Sequence, residues 1–341
     1  MAVSAAGAGP IRVVYLVWTH ADPPHVMRLL RTLRTLSPDS QIVVHHDRRG
    51  CDLDEAAVRA IGGTHLIYAE GAVRWGDVSV WEALLRCLRW VEANLEYDWL
   101  IHLSGADYPI RPLSELEQRL ASEGKDGYII HDRLGTQAEV RGRREEAYRR
   151  YFYQYYALPQ LRVSKAIPST VRSRLRSRSE KLKSVSSAMY VKPLPRGEGV
   201  RLGRRARRGL FRNGYACYKG SLWVALSRKA IRRYLSILDE RPEIYRYYRR
   251  TINPDESVTA TVLANDPETV LDPDPLRYTK WLSGRPHPEL LTSADLDAML
   301  ASGKFLARKF DPAIDSAVFD ELDRRLGVAP PADRPSVTNP A

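Results

Sequence analysis

Three short segments of the chain carry the side chains best suited to chemistry. LIHLSGADYPI reads as a buried strand that ends in a polar turn around Asp107. NPDES carries Glu256, and FLARKFD sets Arg308 beside Lys309. A positioned carboxylate can act as a general base, and an Arg–Lys pair can clamp a diphosphate. The sequence therefore raises the question of whether the fold brings these segments together.

Each segment also has a purely structural interpretation. Ser, Gly, Asp and Pro form turns without any function, and Arg308 and Lys309 could be plain surface charge. Asn253 is a good N-cap, and the residues after it suit the first turn of a helix. The sequence alone therefore favours the structural interpretation of NPDES. A carboxylate at a helix N-terminus is nevertheless held ionised at neutral pH, the state that a general base needs.

Strands and helices alternate over the first 105 residues, which predicts a parallel sheet wound with helices. The predicted strands cover residues 11–18, 41–47, 65–70, 97–103 and 127–130. The predicted helices between them lie within residues 20–36, 52–63 and 80–95. In open α/β sheets ligands bind beyond the carboxyl ends of the strands, so the turn at Asp107 is a place to look for a site.

The positive charge of the chain is concentrated in one segment. The formal net charge is +12, and residues 139–212 alone contribute +16, from 21 Lys and Arg against 5 Asp and Glu. Such runs are most often solvated, partly disordered insertions, but a patch for anionic lipid, an acidic glycan or nucleic acid fits equally. The segment also carries tyrosines that could stack on sugar rings or bases, or pack inward, at positions 148, 151, 153, 155 and 156.

The composition excludes several protein classes. Hydrophobic residues make up 44% and charged residues 28%, which is ordinary for a soluble globular protein. Cys51, Cys87 and Cys217 have no CxxC spacing, which argues against a disulfide framework or a zinc site. The N-terminus lacks the features of a signal peptide, and no stretch approaches the roughly 20 apolar residues of a membrane span. We therefore expect a cytoplasmic protein and leave peripheral membrane contact open.

Common phosphate and metal motifs are missing from the sequence. GxxxxGK[ST], GxGxxG after a strand and GxSxG do not occur, and the adjacent His45 and His46 point to opposite faces of a strand. The Asp-x-Asp spacings fall at 52–54, 272–274 and 295–297, the first and third in predicted helices and the second in a turn. If the chain transfers sugars, something other than a metal must therefore neutralise the leaving diphosphate.

Five segments, taken in order, resemble one known family. WGDVSVWEALL, LIHLSGADYPI, KGSLWVALS, NPDES and LARKFD look like the Core-2/I-branching β-1,6-N-acetylglucosaminyltransferase and peptide O-xylosyltransferase family. The resemblance covers most of residues 11–326 and fails in residues 139–212. It implies a GT-A-like α/β fold that transfers a sugar from a UDP-sugar with inversion. It also implies no cofactor and no essential metal.

The resemblance also implies roles for individual residues. Glu256 takes the place of the catalytic base, and Arg308 and Lys309 take that of the diphosphate-binding pair. The other implied donor contacts are Val17 and His20 after the first strand, Asp47 at the uridine, Trp75 in the nucleotide pocket and Asp107 beneath the donor sugar. Trp223 would line the acceptor side. A second basic residue of the animal branching enzymes falls near Pro286 and His287, with Arg285 next to it.

We expect five segments along the chain. They are a flexible N-terminus (1–10), a nucleotide-sugar-binding α/β half (11–138), a basic helical insertion (139–212), an acceptor and catalytic half (213–328) and a disordered tail (329–341). The few cysteines and the missing anchor indicate a bacterial, cytoplasmic relative of the family. Residues 139–212 could hold it peripherally at the inner face of the membrane, and we expect no nucleic-acid partner.

The predicted function is an inverting, metal-independent glycosyltransferase. It would move a sugar from a UDP-sugar to a hydroxyl of a glycan or glycoconjugate, and GlcNAc is the leading candidate for that sugar. Xylosyl or glucuronosyl transfer stays open because these donors differ only in groups at C2 and C5. The alternative from another class is a non-catalytic protein that binds nucleic acid or membrane through residues 139–212.

Overall fold

The computed structural model describes residues 11–135, 143–157, 189–193, 200–206, 209–282 and 287–329. Apolar, β-branched runs such as VVYLVWT and QIVVHH form its central strands. The strands are β1 (Val13–Thr19), β2 (Gln41–His46), β3 (Thr64–Tyr68), β4 (Trp99–Ser104), β5 (Asp107–Pro109), β6 (Gly127–Tyr128), β7 (Asp132–Leu134), β8 (Tyr153–Ala157), β9 (Met189–Pro193), β10 (Val200–Arg205), β11 (Cys217–Lys219), β12 (Ala225–Ser227), β13 (Leu271–Asp272), β14 (Arg277–Thr279) and β15 (Leu306–Arg308).

Amphipathic segments between the strands form the helices. They are α1 (Pro23–Leu36), α2 (Glu55–Arg59), α3 (Val78–Asn94), α4 (Leu113–Ser122), α5 (Arg143–Tyr151), α6 (Arg228–Glu240), α7 (Pro242–Tyr248), α8 (Val258–Ala264), α9 (Leu296–Ala301) and α10 (Ala317–Leu326). Two short 3-10 helices cover Pro254–Glu256 and Ser293–Asp295. Among the helices of the described ranges, none combines the length and the apolar character needed to cross a membrane.

The main sheet has seven strands in the order β13-β6-β12-β4-β1-β2-β3. β1 runs parallel to both β2 and β4, and β2 runs parallel to β3. β12 is antiparallel to β4 and β6, and β6 is parallel to β13. This mostly parallel sheet with flanking helices confirms the predicted α/β, Rossmann-like and GT-A-like fold class.

The central strands are buried on both faces, which explains why they read as unbroken apolar runs. In β1, Tyr15 and Val17 belong to the core cluster under α1, whereas Leu16 belongs to the cluster that contains Trp81 of α3. The expectation that Val17 lies in the loop after the first strand is wrong. β1 continues to Thr19, and Val17 is fully buried with its backbone paired on both sides.

A small sheet, β14-β15-β5, lies at the end of β4. β15 is antiparallel to β5 and pairs Arg308 with Asp107, while β14 is parallel to β15. In the SGAD segment, Ser104 ends β4, the next two residues form a turn, and Asp107 begins β5. This sheet brings the predicted basic pair to the predicted polar turn.

The basic segment was predicted to be a helical insertion, but the part of it that the structure describes also contains a sheet. α5 is followed by the antiparallel sheet β8-β10-β9. Of the five tyrosines at positions 148, 151, 153, 155 and 156, the first four are buried and Tyr156 is exposed. The remainder of 139–212 lies outside the described residues, as do the expected flexible N-terminus and nearly all of the expected disordered tail.

Candidate active site

The SGAD turn at the end of β4 fixes the position of the Asp107 carboxylate. The backbone N–H of Ser104 donates to Asp107 Oδ2 at 2.8 Å, and the Ser104 hydroxyl donates to the same oxygen. A Cβ at Gly105 would lie 3.3 Å from Val26 Cγ2, so the turn packs tightly on α1. Because Asp107 is 0% exposed, the structure places it under the surface rather than where it could face donor hydroxyls.

Two arginines surround the Asp107 carboxylate. Arg277 Nε lies 3.2 Å from Asp107 Oδ1, too poorly aligned for a hydrogen bond, and Arg308 Nε lies 4.0 Å from Asp107 Oδ2. The side chains of Arg277 and Arg308 are only 4% and 15% exposed. Within the described part of the chain, Arg277 Nη1 and Arg308 Nε are buried without a hydrogen-bond partner. Buried polar groups without a partner need an explanation, and a ligand bound at this position would supply one.

Burial lowers the pKa of Arg277 to about 10, and the nearby Asp107 carboxylate opposes that shift. Burial also lowers the pKa of Arg308, again opposed by Asp107. With a pKa of about 10, the Arg277 guanidinium stays charged at neutral pH. Lys309 follows Arg308, is exposed and has no ion-pair partner among the described residues. We call Arg277, Arg308, Lys309 and Asp107 the basic cluster, which has three cations for one carboxylate.

Trp223 forms one wall of the basic cluster. Its ring centroid lies 4.1 Å from Arg308 Cζ and 5.6 Å from Arg277 Cζ, which are cation–π distances. The His102 ring lies 4.9 Å from the Trp223 ring, and burial lowers the pKa of His102 to about 3, so this histidine is neutral. Trp223, expected on the acceptor side, thus stands directly against the predicted diphosphate-binding arginine.

Glu256 ends the short 3-10 helix that NPDES forms. Arg150 Nη1 donates to Glu256 Oε2 at 2.7 Å, and Asn253 Nδ2 donates to Glu256 Oε1 at 3.0 Å. The Asn253 side chain makes no N-cap hydrogen bond, so the predicted cap is wrong. Asn253 has a left-handed backbone (φ 49°), and its amide serves the glutamate instead. We call Glu256, Arg150 and Asn253 the carboxylate cluster.

Arg150 is a site residue that the sequence did not reveal. It belongs to α5 of the basic segment, 106 residues before Glu256, and its Nη2 also donates to Glu146 at 2.7 Å. The backbone N–H of Ile252 donates to the Arg150 carbonyl at 3.2 Å, which docks α5 onto the segment before Glu256. The described helix α5 of the basic segment therefore contributes Arg150 to the candidate site.

The segment from Gly220 to Trp223 joins the two clusters. The Gly220 N–H donates to the Glu256 carbonyl at 2.6 Å. A Cβ at Gly220 would lie 2.6 Å from the Ile130 carbonyl oxygen, so only glycine fits there. Three residues later Trp223 stacks on Arg308. The Glu256 backbone and the Arg308 side chain thus contact the two ends of the same four-residue segment.

The expected nucleotide contacts lie at the ends of β1 and β2. The Asp47 N–H donates to the Thr19 carbonyl at 3.0 Å, which brings Asp47 next to the exposed His20. Arg49 chelates the Asp47 carboxylate and, as the largest cause, lowers its pKa. The Trp75 side chain is 60% exposed.

The loop of Trp75 connects these nucleotide contacts to the catalytic half. The Asn253 N–H donates to the Gly76 carbonyl at 3.1 Å, immediately after Trp75. The exposed His287 packs its ring 6.0 Å from that of Trp75. Arg285 and Pro286 lie outside the described residues.

The Asp-x-Asp spacings are accounted for by local structure. Asp274 pairs with Arg119 at 3.0 Å and with Lys304 at 2.7 Å. Asp54, predicted to lie within a helix, lies just before α2 and caps it, accepting from Ala57 N–H at 3.0 Å. Asp295 belongs to a 3-10 helix and also pairs with Lys280. Over the ranges that the structure describes, no three His, Cys, Asp or Glu side chains cluster as metal ligands would.

A model of the Core-2/I-Branching enzyme family matches residues 13–300, which is well over half of the chain. The chain belongs to the Core-2/I-branching enzyme family. It is therefore a glycosyltransferase, as the resemblance of the five segments predicted. Membership of this family argues against the alternative that the chain is a non-catalytic protein binding nucleic acid or membrane.

Two curated proteins of Arabidopsis thaliana are similar to this family member along most of its length. Beta-glucuronosyltransferase GlcAT14A is 24% identical over 350 residues, covering 94% of this chain and 67% of its own length. Beta-glucuronosyltransferase GlcAT14B is 23% identical over 345 residues, covering 96% of this chain and 68% of its own.

Solved structures give a weaker likeness. The glucosyl-3-phosphoglycerate synthase of Mycobacterium tuberculosis, in complex with Mn²⁺, UDP-glucose and phosphoglyceric acid, is 20% identical. Its alignment covers 36% of this chain and 44% of that protein, with a TM-score of 0.27.

Proposed function

We propose that the protein transfers a sugar from a UDP-sugar to a hydroxyl of a glycan or glycoconjugate, with inversion and without an essential metal. The observation that carries this proposal is the pair of clusters joined through Gly220 and Trp223. One cluster has surplus positive charge, and the other presents the carboxylate of Glu256. A transferase needs both functions at neighbouring positions.

The basic cluster fits a nucleoside diphosphate. A UDP-sugar has one negative charge on each phosphate, and the cluster has three cations against one carboxylate. As the bond from the sugar to the diphosphate breaks, further negative charge develops on the leaving oxygen. Arg308, which is largely shielded from water, and the exposed Lys309 stabilise that charge, and such stabilisation is strongest where water is excluded. This is the work that a divalent cation does in metal-dependent transferases.

Glu256 acts as the general base in this proposal. Its carboxylate takes the proton of the acceptor hydroxyl while that oxygen bonds to the anomeric carbon, and the electrons of the broken bond leave with UDP. Attack opposite the leaving group inverts the anomeric configuration. Arg150 and Asn253, each bonded to one carboxylate oxygen, fix the orientation of the base.

Two donor sugars are the leading candidates. GlcNAc follows from the branching enzymes that the five segments resemble. Glucuronate is favoured by the names of the two plant relatives, both beta-glucuronosyltransferases. The two donors differ at C2 and C5, so a direct comparison of UDP-GlcNAc and UDP-glucuronate separates them.

Calorimetric titration tests the proposed function. UDP, UDP-GlcNAc, UDP-glucuronate, UDP-xylose and GDP-mannose are titrated into the protein with EDTA and again with Mn²⁺. We expect UDP and one UDP-sugar to bind equally well in both conditions, with GDP-mannose as the negative control. If no uridine nucleotide binds in either condition, the proposed function is wrong.

A further inference from the structure

Two arginines near the carboxylate cluster lie on tyrosine rings instead of pairing with carboxylates. Arg205 Cζ of β10 lies 6.0 Å from the ring centroid of Tyr148, and Arg250 Cζ lies 5.1 Å from that of Tyr156. These are cation–π distances. Both arginines are exposed, and neither has an ion-pair partner among the described residues. We call Arg205 and Arg250 the stacked arginines.

Stacking on an aromatic ring leaves an arginine able to bind an anion. Many arginines of residues 11–135 pair with carboxylates instead, as Arg59 does with Glu55 at 2.6 Å, and their charge is then neutralised. A tyrosine ring orients the guanidinium without neutralising it, and the N–H groups at the edge of the guanidinium plane stay accessible. These N–H groups match the oxygens of a carboxylate or a phosphate.

Backbone contacts place Arg250 close to the proposed base. The Tyr155 N–H of β8 donates to the Arg250 carbonyl at 2.7 Å, and the Ile252 N–H donates to the Arg150 carbonyl at 3.2 Å. Arg150 in turn donates to Glu256. Arg250 therefore lies two residues before the point where the chain docks onto the partner of Glu256.

The strand of Arg205 is fixed to the same region through a second set of contacts. Arg201 Nη2 of β10 pairs with Asp77 Oδ2 at 2.5 Å. Asp77 follows Gly76, whose carbonyl accepts from the Asn253 N–H at 3.1 Å. Because side chains alternate along a strand, Arg205 lies on the same face of β10 as Arg201. The face that contacts the loop bonded to Asn253 therefore also carries Arg205.

We propose that the stacked arginines bind negative charges of the acceptor, which is then an anionic glycan with carboxylate or phosphate groups beside the sugar that reacts. This inference rests on the proposed function, in which the acceptor hydroxyl reaches Glu256. The donor diphosphate occupies the basic cluster, so the acceptor approaches from the side of the carboxylate cluster. A glycan extends over several sugar rings, and the rings next to the reacting one cross the surface of Arg205 and Arg250.

An anionic membrane is the other partner that positive charge attracts. Attraction to a membrane surface needs only diffuse positive charge and no fixed side-chain geometry. The stacked arginines are instead held against rings, and backbone bonds tie their strands to the residues around the base. This arrangement favours a ligand that is bound together with the reacting hydroxyl.

Calorimetry with matched pairs of probes tests the inference. Tetragalacturonate and its methyl ester share one sugar backbone, but the ester has no carboxylate charge. Phosphorylated and unphosphorylated mannotetraose form a second pair, which distinguishes phosphate from carboxylate recognition. All four are titrated with and without UDP. We expect the charged member of at least one pair to bind about ten-fold more tightly than its uncharged partner.

Two double variants locate that preference on the surface. Arg205→Gln with Arg250→Gln should reduce the preference for the charged probe to within about two-fold and leave UDP affinity unchanged. Arg31→Gln with Lys125→Gln removes the same net charge elsewhere on the chain and should keep the preference. Thermal unfolding confirms that each variant is folded.

Three results would overturn the inference. The first is equal binding of the charged and uncharged members of both pairs. The second is an equal loss of preference in the two double variants, which would show an effect of net charge alone. The third is binding to vesicles of phosphatidylcholine and phosphatidylglycerol that requires Arg205 and Arg250, without any preference within the probe pairs. Failure to bind UDP would count against the proposed function alone, because the probes are also titrated without UDP.

Discussion

The basic cluster and the carboxylate cluster border the same segment but differ in how their charges are satisfied. In the basic cluster, Arg277 Nη1 and Arg308 Nε are buried without partners in the described structure. In the carboxylate cluster, both oxygens of Glu256 are bonded, one to Arg150 and one to Asn253. Guanidinium N–H groups without partners can bind an anionic ligand. A carboxylate with one partner on each oxygen is held in a fixed orientation and can still accept a proton as a base.

This difference has a consequence for ligand binding. The donor supplies what the basic cluster lacks, so donor binding should depend mainly on Arg308 and Lys309. The acceptor hydroxyl, in contrast, has to reach a carboxylate that already pairs with a cation. Substitutions in the two clusters should therefore separate donor affinity from turnover.

The largest effect is expected for Glu256→Gln. Because an amide cannot take the acceptor proton, turnover should fall by about 10³-fold. UDP affinity should stay unchanged, since the basic cluster is intact. Steady-state kinetics and calorimetry measure the two quantities, and Glu268→Gln at an exposed position is the matched control. Normal turnover in the Glu256 variant would rule this residue out as the base.

Lys309→Ala should give the next largest effect. Loss of one charge-assisted contact should weaken UDP binding about 10- to 100-fold, because the two remaining cations and the Asp107 carboxylate then no longer balance the negative charge of the diphosphate. Arg31→Ala, on an exposed position of α1, is the control. Calorimetry in EDTA measures both, and equal affinities for the two variants would remove Lys309 from the site.

Arg150→Met should lower turnover by about ten-fold without changing UDP affinity. The base then keeps only Asn253 as a fixed partner, and a less well oriented carboxylate is a poorer catalyst. Partial recovery in Arg150→Lys would support the positioning role. A loss of UDP affinity as large as that of Lys309→Ala would erase the distinction between the two clusters.

The last effect concerns stability and pH instead of binding or turnover. Burial first, and the charge of Glu256 second, raise the pKa of Asp255 from 3.8 to about 8. The unfolded chain loses this proton above about pH 4, whereas the folded chain keeps it until about pH 8. The free energy of unfolding should therefore fall across that window, by roughly 1 kcal/mol per pH unit from this group.

Asp255→Asn removes that pH dependence because an amide does not ionise. The unfolding temperature of the variant should increasingly exceed that of the unchanged protein between pH 5 and pH 8. Thermal unfolding followed by circular dichroism measures the difference. Parallel pH profiles for the two proteins would show that Asp255 is not buried as a neutral acid.

Sequence reasoning reached the central strands and the resemblance-based residues because each leaves a local signal. β1 and β4 are continuous apolar runs, and Arg308 and Glu256 lie in recognisable segments. The same reasoning placed Val17 in the loop after the first strand although it lies within β1, and it assigned Asn253 a capping side chain that bonds to Glu256 instead.

Arg150 and Arg277 could not be found in this way. Arg150 meets Glu256 across 106 residues of sequence, from outside the five segments that carry the resemblance. Arg277 lies in a three-residue strand whose pairing with β15 appears only in the folded chain. In both cases the role arises from tertiary contact, which neither periodicity nor spacing records.

The central claim is that side-chain cations do the work of a metal at the diphosphate. UDP affinity measured in EDTA and again with added Mn²⁺ tests it most directly. Equal dissociation constants in the two conditions, together with a large loss in Lys309→Ala, are the predicted result. UDP binding that appears only when Mn²⁺ is present would contradict the claim.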